Sequence, residues 1–149
     1  MKSLFSASDN TEIINRINRL TSETKAEWGK MNVSQMLAHV QAPLKVAFGE
    51  TKPRRSLAGI LFGRLAKRRL SSEEPWGRGL PTDRSFIVTN KRDFEDEKKK
   101  LIAMVQRFIA TGRGVIVSNT HPFFGRMTVN DWDNLMWNHL NHHLNQFGA

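Results

Sequence analysis

"TVNDWDNLMWNHLNHHLNQF", Thr128–Phe147, is the stretch on which the reading of this chain turns. Thr128 with Asp131 three residues on is a capping-box variant. A hydroxyl and a carboxylate at that spacing can satisfy N–H groups that the first turn of a helix leaves free. At about 100° per residue, Trp132, Leu135, Met136, Leu140, Leu144 and Phe147 share one face of the helix that follows. His139 and His143 lie inside that face, about 40° apart and one turn above the other. His142 falls on its flank, nearer to Asn138 and Asn145. Two imidazoles turned towards a core need partners, because an unpaired ring nitrogen in a dry site costs about 1–3 kcal/mol. The i, i+4 spacing lets both rings reach one metal ion, as on metalloprotease helices. Ordinary hydrogen bonds at the core edge are the competing account.

Working outward, Asn32 with Gln35 is a second capping-box variant. It opens a helix expected to run to about Glu50 with a kink at Pro43. Val33, Met36, Leu37, Val40, Leu44, Ala47 and Phe48 form a wide apolar arc on that helix. His39 sits to one side with Met36, Pro43 and Val46, where a second helix would pack. A first helix is expected from a cap at Asp9 through Leu20, and a strong one from Asp93 to about Thr111, stopped by "TGRG". Thr21–Met31 is a connector in which Trp28 is expected to anchor the chain. Lys52–Leu70 is a shorter amphipathic helix weakened by Gly59 and Gly63, expected to pack through its leucines and leave a solvated basic rim. The stretch after it, "SSEEPWGRGLPTDRSFIVTN", is long enough that it should pack something or line a site. "SFIV" (85–88) and "GVIV" (114–117) are expected to be briefly extended. Four substantial helices with one long mid-chain connection predict an all-α bundle with a crossover, a single domain over residues 1–149.

Composition narrows the chemistry. The chain has no cysteine, which excludes disulfides, thiolate zinc sites and cysteine nucleophiles. P-loop, dinucleotide-binding and Gly-x-Ser-x-Gly signatures are missing. No apolar run is long enough for a membrane span, and "MKSLFSASDN" is not a signal peptide, so a cytoplasmic location and no membrane partner are expected. The net charge of +9 raises nucleic acid as a partner, with Arg54, Arg55, Arg64, Lys67, Arg68 and Arg69 in one segment. No base-stacking pattern or recognition module accompanies them, which argues against that partner; interfacial binding to anionic lipid is the other functional reading of the segment, beside the solvated rim.

"WGKMNVSQMLAHVQAP" (28–43) resembles the entry to the first long helix of DinB-like proteins: a Trp, a short loop, then a helix with one His in its early turns. "HPFFGRMTVNDWDNLMWNHLNHHLNQFG" (121–148) resembles the closing segment of a bacterial subfamily within that superfamily. The resemblance implies a DinB-like four-helix bundle and a divalent metal ion, nickel or zinc, held by His39, His139 and His143. Relatives include thiol-dependent S-transferases and a mycothiol-dependent isomerase. The expectation is therefore a metal-dependent thiol transferase or hydrolase acting on a small molecule, with a low-molecular-weight thiol as candidate cosubstrate. The short early part and the "HPFFG" loop depart from the better-known relatives, so the metal site carries over further than any reaction.

Three neutral imidazoles leave the ion's charge uncompensated, and an open position would favour an anionic ligand. Gln35, one turn before His39, is a candidate partner for that ring's second nitrogen. His142, at the mouth, and His121, in the loop, are the weaker candidates for a catalytic role. Two rival readings stand beside the enzyme: a metal-binding bundle without turnover, and a basic nucleic-acid-binding bundle. A homodimer is left open.

Overall fold

The computed structural model describes residues 2–67, 70, 76–80 and 82–149, and it is mostly helical. α1 spans Ala7–Arg19, α2 Val33–Ala47, α3 Leu57–Lys67, α4 Phe94–Thr111 and α5 Val129–Gln146. The caps explain most of these limits. In α5 the Thr128 hydroxyl accepts from the Asp131 amide at 3.1 Å, and the Asp131 carboxylate accepts from the Thr128 amide at 2.7 Å. In α2 Asn32 and Gln35 exchange the equivalent pair, at 2.8 and 3.1 Å. Asp93 caps α4, which ends at Gly112, whose φ of 63° suits a residue without a Cβ.

Three expected boundaries move, one of them the start of α3, at Leu57 rather than Lys52. The cap of α1 is Ser6 rather than Asp9: the Ser6 hydroxyl accepts from the Asp9 amide, and the Asp9 carboxylate instead receives the Ser3 amide at 3.0 Å. α2 stops at Ala47, short of Glu50, because Gly49 at φ 74° turns the chain out of the helix. Pro43 lies inside α2 and withdraws the amide that would otherwise reach back to His39.

α2 packs against α4 and α5, and α1 packs against the same two. The core between them takes Ile13 and Ile17 from α1, Met36, Leu37, Val40 and Leu44 from α2, Leu101, Val105 and Phe108 from α4, and Trp132, Met136, Leu140 and Leu144 from α5. Every apolar residue placed on the inward faces of α2 and α5 by helical periodicity is buried. No described helix is long and apolar enough to cross a membrane.

Neither "SFIV" nor "GVIV" forms a strand. Arg84–Phe86 is a 3₁₀ turn started by Asp83, whose carboxylate accepts from the Ser85 amide at 3.0 Å and the Ser85 hydroxyl at 2.7 Å. Gly112–Val115 is a second such turn. Apolar β-branched residues without a strand to pair with do not make a sheet. The strands among the described residues are β1 (Thr120–His121) and β2 (Gly125–Arg126), a small antiparallel hairpin around "HPFFG" with His121 opposite Gly125.

α3 does not pack through its leucines. Gly59 and Gly63 form its buried face, while Leu57 is 80% exposed, Leu61 74%, Phe62 60% and Leu65 66%. The glycines decide this. A Cβ on Gly59 would lie 2.7 Å from the Phe123 backbone, and one on Gly63 would overlap the Phe123 carbonyl. The hairpin thus receives the one face of α3 that has no side chains, and the apolar residues are turned outward.

A candidate metal centre between α2 and α5

His39 on α2 meets His139 and His143 on α5. The ring centroids are 4.9 Å apart for His39 and His139, 4.7 Å for His39 and His143, and 4.7 Å for His139 and His143. One ligand nitrogen from each ring lies within 4.8 Å of the other two. His39 and His143 are buried; His139 keeps some exposed surface.

The second nitrogens fix the tautomers. His39 Nδ1 lies 2.8 Å from the Phe86 carbonyl oxygen, which can only accept, so Nδ1 carries the proton and Nε2 presents a lone pair. His143 Nδ1 lies 2.7 Å from Gln146 Oε1. The Gln146 amide is itself oriented, since its Nε2 donates to the Trp28 carbonyl at 2.7 Å. His143 therefore also turns an unprotonated Nε2 inward. Each ring is held by an acceptor behind it, the arrangement that orients metal-binding imidazoles and raises their basicity.

Electrostatics favour neutral rings. Burial lowers the pKa of His39, partly offset by the Phe86 carbonyl. Burial, then the neighbouring His39, lowers His143 to about 3. His139 is held well below its ordinary value by burial and by the surrounding histidines, His143 foremost. Neutral imidazoles are the form that binds metal.

These residues fit a divalent ion. The Nε2 atoms of His39 and His139 are 3.1 Å apart. Two nitrogens each about 2.1 Å from one ion would be separated by about 3.0 Å at a right angle and about 3.4 Å at the tetrahedral angle. The three-histidine group could thus hold a metal ion.

The remaining sequence candidates fall elsewhere. His142 lies beside the group, its ring 5.1 Å from that of His143, half-buried between Trp28 and Trp76 at 6.0 and 6.1 Å. Burial lowers its pKa, partly offset by a hydrogen bond to the Trp76 backbone. His121 is not one of the three converging rings. Its Nδ1 accepts from the Phe123 and Phe124 amides at 3.1 and 3.2 Å, so it organises the hairpin, and its ring packs on Trp132 and Phe124. Gln35 does not support His39: its side chain completes the α2 cap and donates to the Thr89 carbonyl at 3.1 Å.

Sequence reasoning missed the groups that hold the rings. Phe86 acts through a backbone carbonyl, which carries no residue-type signal. Gln146 was within reach, three residues after His143 on the same helix. Gly29 was missed as well: at φ 88° it lets the Trp28 loop approach Gln146, into whose amide a Cβ would run. Trp76, 6.1 Å from His139, shows that the long mid-chain connection does line the group.

Fold and site together define a class: a helical protein whose early and closing helices bring three imidazoles to one point. The chain belongs to the family described as a protein of unknown function, DUF1569, whose model matches residues 2–149. No curated protein and no solved structure matches it.

Proposed function

We propose that this protein is a metal-dependent enzyme built on a DinB-like four-helix bundle, formed by α1, α2, α4 and α5. It would act in the cytoplasm on a small anionic or thiol-bearing molecule. The reaction class this suggests is thiol transfer or hydrolysis. The observation that carries the reading is the convergence of three neutral imidazoles, two of them locked by Phe86 and Gln146 with their Nε2 lone pairs facing inward. His39, His139 and His143 would hold the ion, nickel or zinc. When bound, such an ion supplies Lewis acidity, lowering the pKa of a coordinated water or thiol.

The chain's own residues do the rest. The three histidines are neutral and contribute no charge, so an ion held by them would keep its full charge and favour an anion in an open position. Trp28 beside His142, and Trp76 beside His139 and His142, supply an aromatic wall next to the three rings. His142, outside the ligand set and tethered to the Trp76 backbone, is the group placed to take or return a proton at the rim. With no cysteine in the chain, a thiolate nucleophile would arrive with a cosubstrate.

Cobalt substitution of protein purified without a histidine tag tests this. A low-molecular-weight thiol should produce a sulfur-to-metal charge-transfer band that His143→Ala abolishes. Stoichiometric cobalt with no response to thiol, hydroxide or azide would identify a closed, non-catalytic ion. Protein that takes up no divalent metal would overturn the reading.

A further inference from the structure

α3 carries no part of the metal centre, and its surface is the most unusual on the molecule. The glycine pair fixes its orientation. At 3.6 residues per turn, the face centred on Leu57, Leu61 and Leu65 lies roughly 180° around the helix from Gly59 and Gly63. With those two glycines seated on Phe123, the apolar face points away from the protein, and Ile60 adds to it at 55% exposed. Monomeric proteins rarely leave so many large apolar side chains contiguous and exposed unless something covers them.

Charge indicates what that is. Residues 51–70 contain lysines and arginines and no aspartate or glutamate. Arg54, just before α3, and Arg64 on its flank are exposed, bordering the apolar face with positive charge, whereas the Arg55 guanidinium reaches back to the Gly59 carbonyl at 3.4 Å beside Gly125 of the hairpin. Lys67 is turned back into the fold, bridging Asp131 at 2.7 Å and the Arg126 carbonyl at 2.8 Å. A second copy of the chain would bring one arginine border against another. Nucleic acid would satisfy the arginines but leave the leucines and Phe62 in water. An anionic bilayer surface satisfies both, with apolar side chains in the headgroup–acyl boundary and cations at the phosphates.

We propose that α3 docks the protein on anionic lipid surfaces, its axis in the membrane plane, with Leu57, Leu61, Phe62 and Leu65 inserted and Arg54 and Arg64 at headgroup phosphates. The helix is eleven residues long, enough to lie in the interface and too short to span it. The proposal does not depend on the metal site.

The experiment is flotation of the full chain with vesicles of phosphatidylcholine alone or mixed with phosphatidylserine, at low and physiological salt. The expected result is partition into the phosphatidylserine vesicles at least about tenfold stronger than into the neutral ones, weakened by salt. Leu61→Glu with Phe62→Glu should abolish it, leaving the circular dichroism spectrum and metal content unchanged, since both side chains are exposed. Arg54→Gln with Arg64→Gln should weaken it while keeping the apolar face. Absence of binding to phosphatidylserine vesicles would overturn the proposal, as would binding that survives the double glutamate variant. Two further outcomes count against it: self-association that the double variant dissolves without vesicle binding, and DNA binding that the variant leaves intact.

Discussion

α5 and α3 depart from ordinary burial in opposite directions. α5 turns His143, Asp133 and Gln146 inward, whereas α3 turns five large apolar residues outward. The inward polar groups are each matched. Asp133 receives the Ser3 hydroxyl at 2.6 Å and the Leu4 amide at 2.9 Å, His143 rests on Gln146, and Gln146 on the Trp28 carbonyl. Burying such groups is tolerable because each of them keeps a hydrogen-bond partner. The outward residues of α3 are matched by nothing in the fold. Burial in α5 reflects a completed network, and exposure in α3 reflects a contact surface already taken by glycine.

The comparison is broken most severely by emptying the α5 network. His143→Ala or His139→Ala should reduce nickel and zinc affinity by more than about a hundredfold, because a two-imidazole remainder lacks the third ligand of an open metal site. His142→Ala should leave affinity nearly intact. Calorimetric titration of the three variants decides it, and equal loss in all of them would show that the ligand pair on α5 is misassigned.

Acid attacks the buried histidines next. His121, lowered to about 4 by burial, accepts two amide protons through Nδ1, so a proton there would face two donors. A histidine whose folded pKa is depressed binds protons more readily when unfolded. Stability is therefore complete above the unfolded value near 6.5 and falls as pH drops towards 4. In metal-free protein this residue alone should contribute a loss of about 1.4 kcal/mol per pH unit in that window, or about 3 kcal/mol in full. His121→Asn keeps an acceptor for the Phe123 and Phe124 amides but does not titrate. Urea unfolding at stepped pH should give a shallower slope for the variant. Parallel slopes would mean that His121 is not held neutral.

Gln146→Leu probes the support behind the ligands. It leaves His143 in place, removes its acceptor and unpairs the Trp28 carbonyl. Metal affinity should fall about 10–100-fold, the usual scale for loss of such a partner. Gln35→Leu, at the residue that sequence alone put forward for this role, should cost only part of the α2 cap and leave metal affinity unchanged.

That contrast marks how far the sequence was legible. The caps at Thr128 and Asn32 and the inward faces of α2 and α5 were readable, because periodicity and capping chemistry are local. Bringing His39 to His139 and His143 needed the family resemblance, since no spacing connects residues a hundred positions apart. The Phe86 carbonyl was invisible, because every residue has one. α3 misled for a different reason. A helical wheel locates an apolar face without saying whether it points inward, and two glycines four apart read as weakness when they are a contact. "SFIV" and "GVIV" reach extended backbone at Ile87 and Ile116 but form no strand, because β-propensity does not specify a partner strand.

The smallest expected effect is the sharpest test of the comparison. Leu144 on α5 and Leu61 on α3 are the same residue type, each on the apolar side of its helix, but Leu144 is 1% exposed and Leu61 74%. Leu144→Ala removes atoms from a closed core and should cost about 2–5 kcal/mol. Leu61→Ala removes atoms that already face water, so it should change stability by no more than about 0.5 kcal/mol. Alanine's slightly better helix propensity acts in its favour. Denaturant unfolding of the two variants measures both. If Leu61→Ala also cost several kcal/mol, the side chain would be buried in solution, and the outward face of α3 would be occupied by another part of this chain or a second copy. A near-zero cost leaves that leucine with no role in holding the fold, and an external surface as the account of why a large apolar residue stands there.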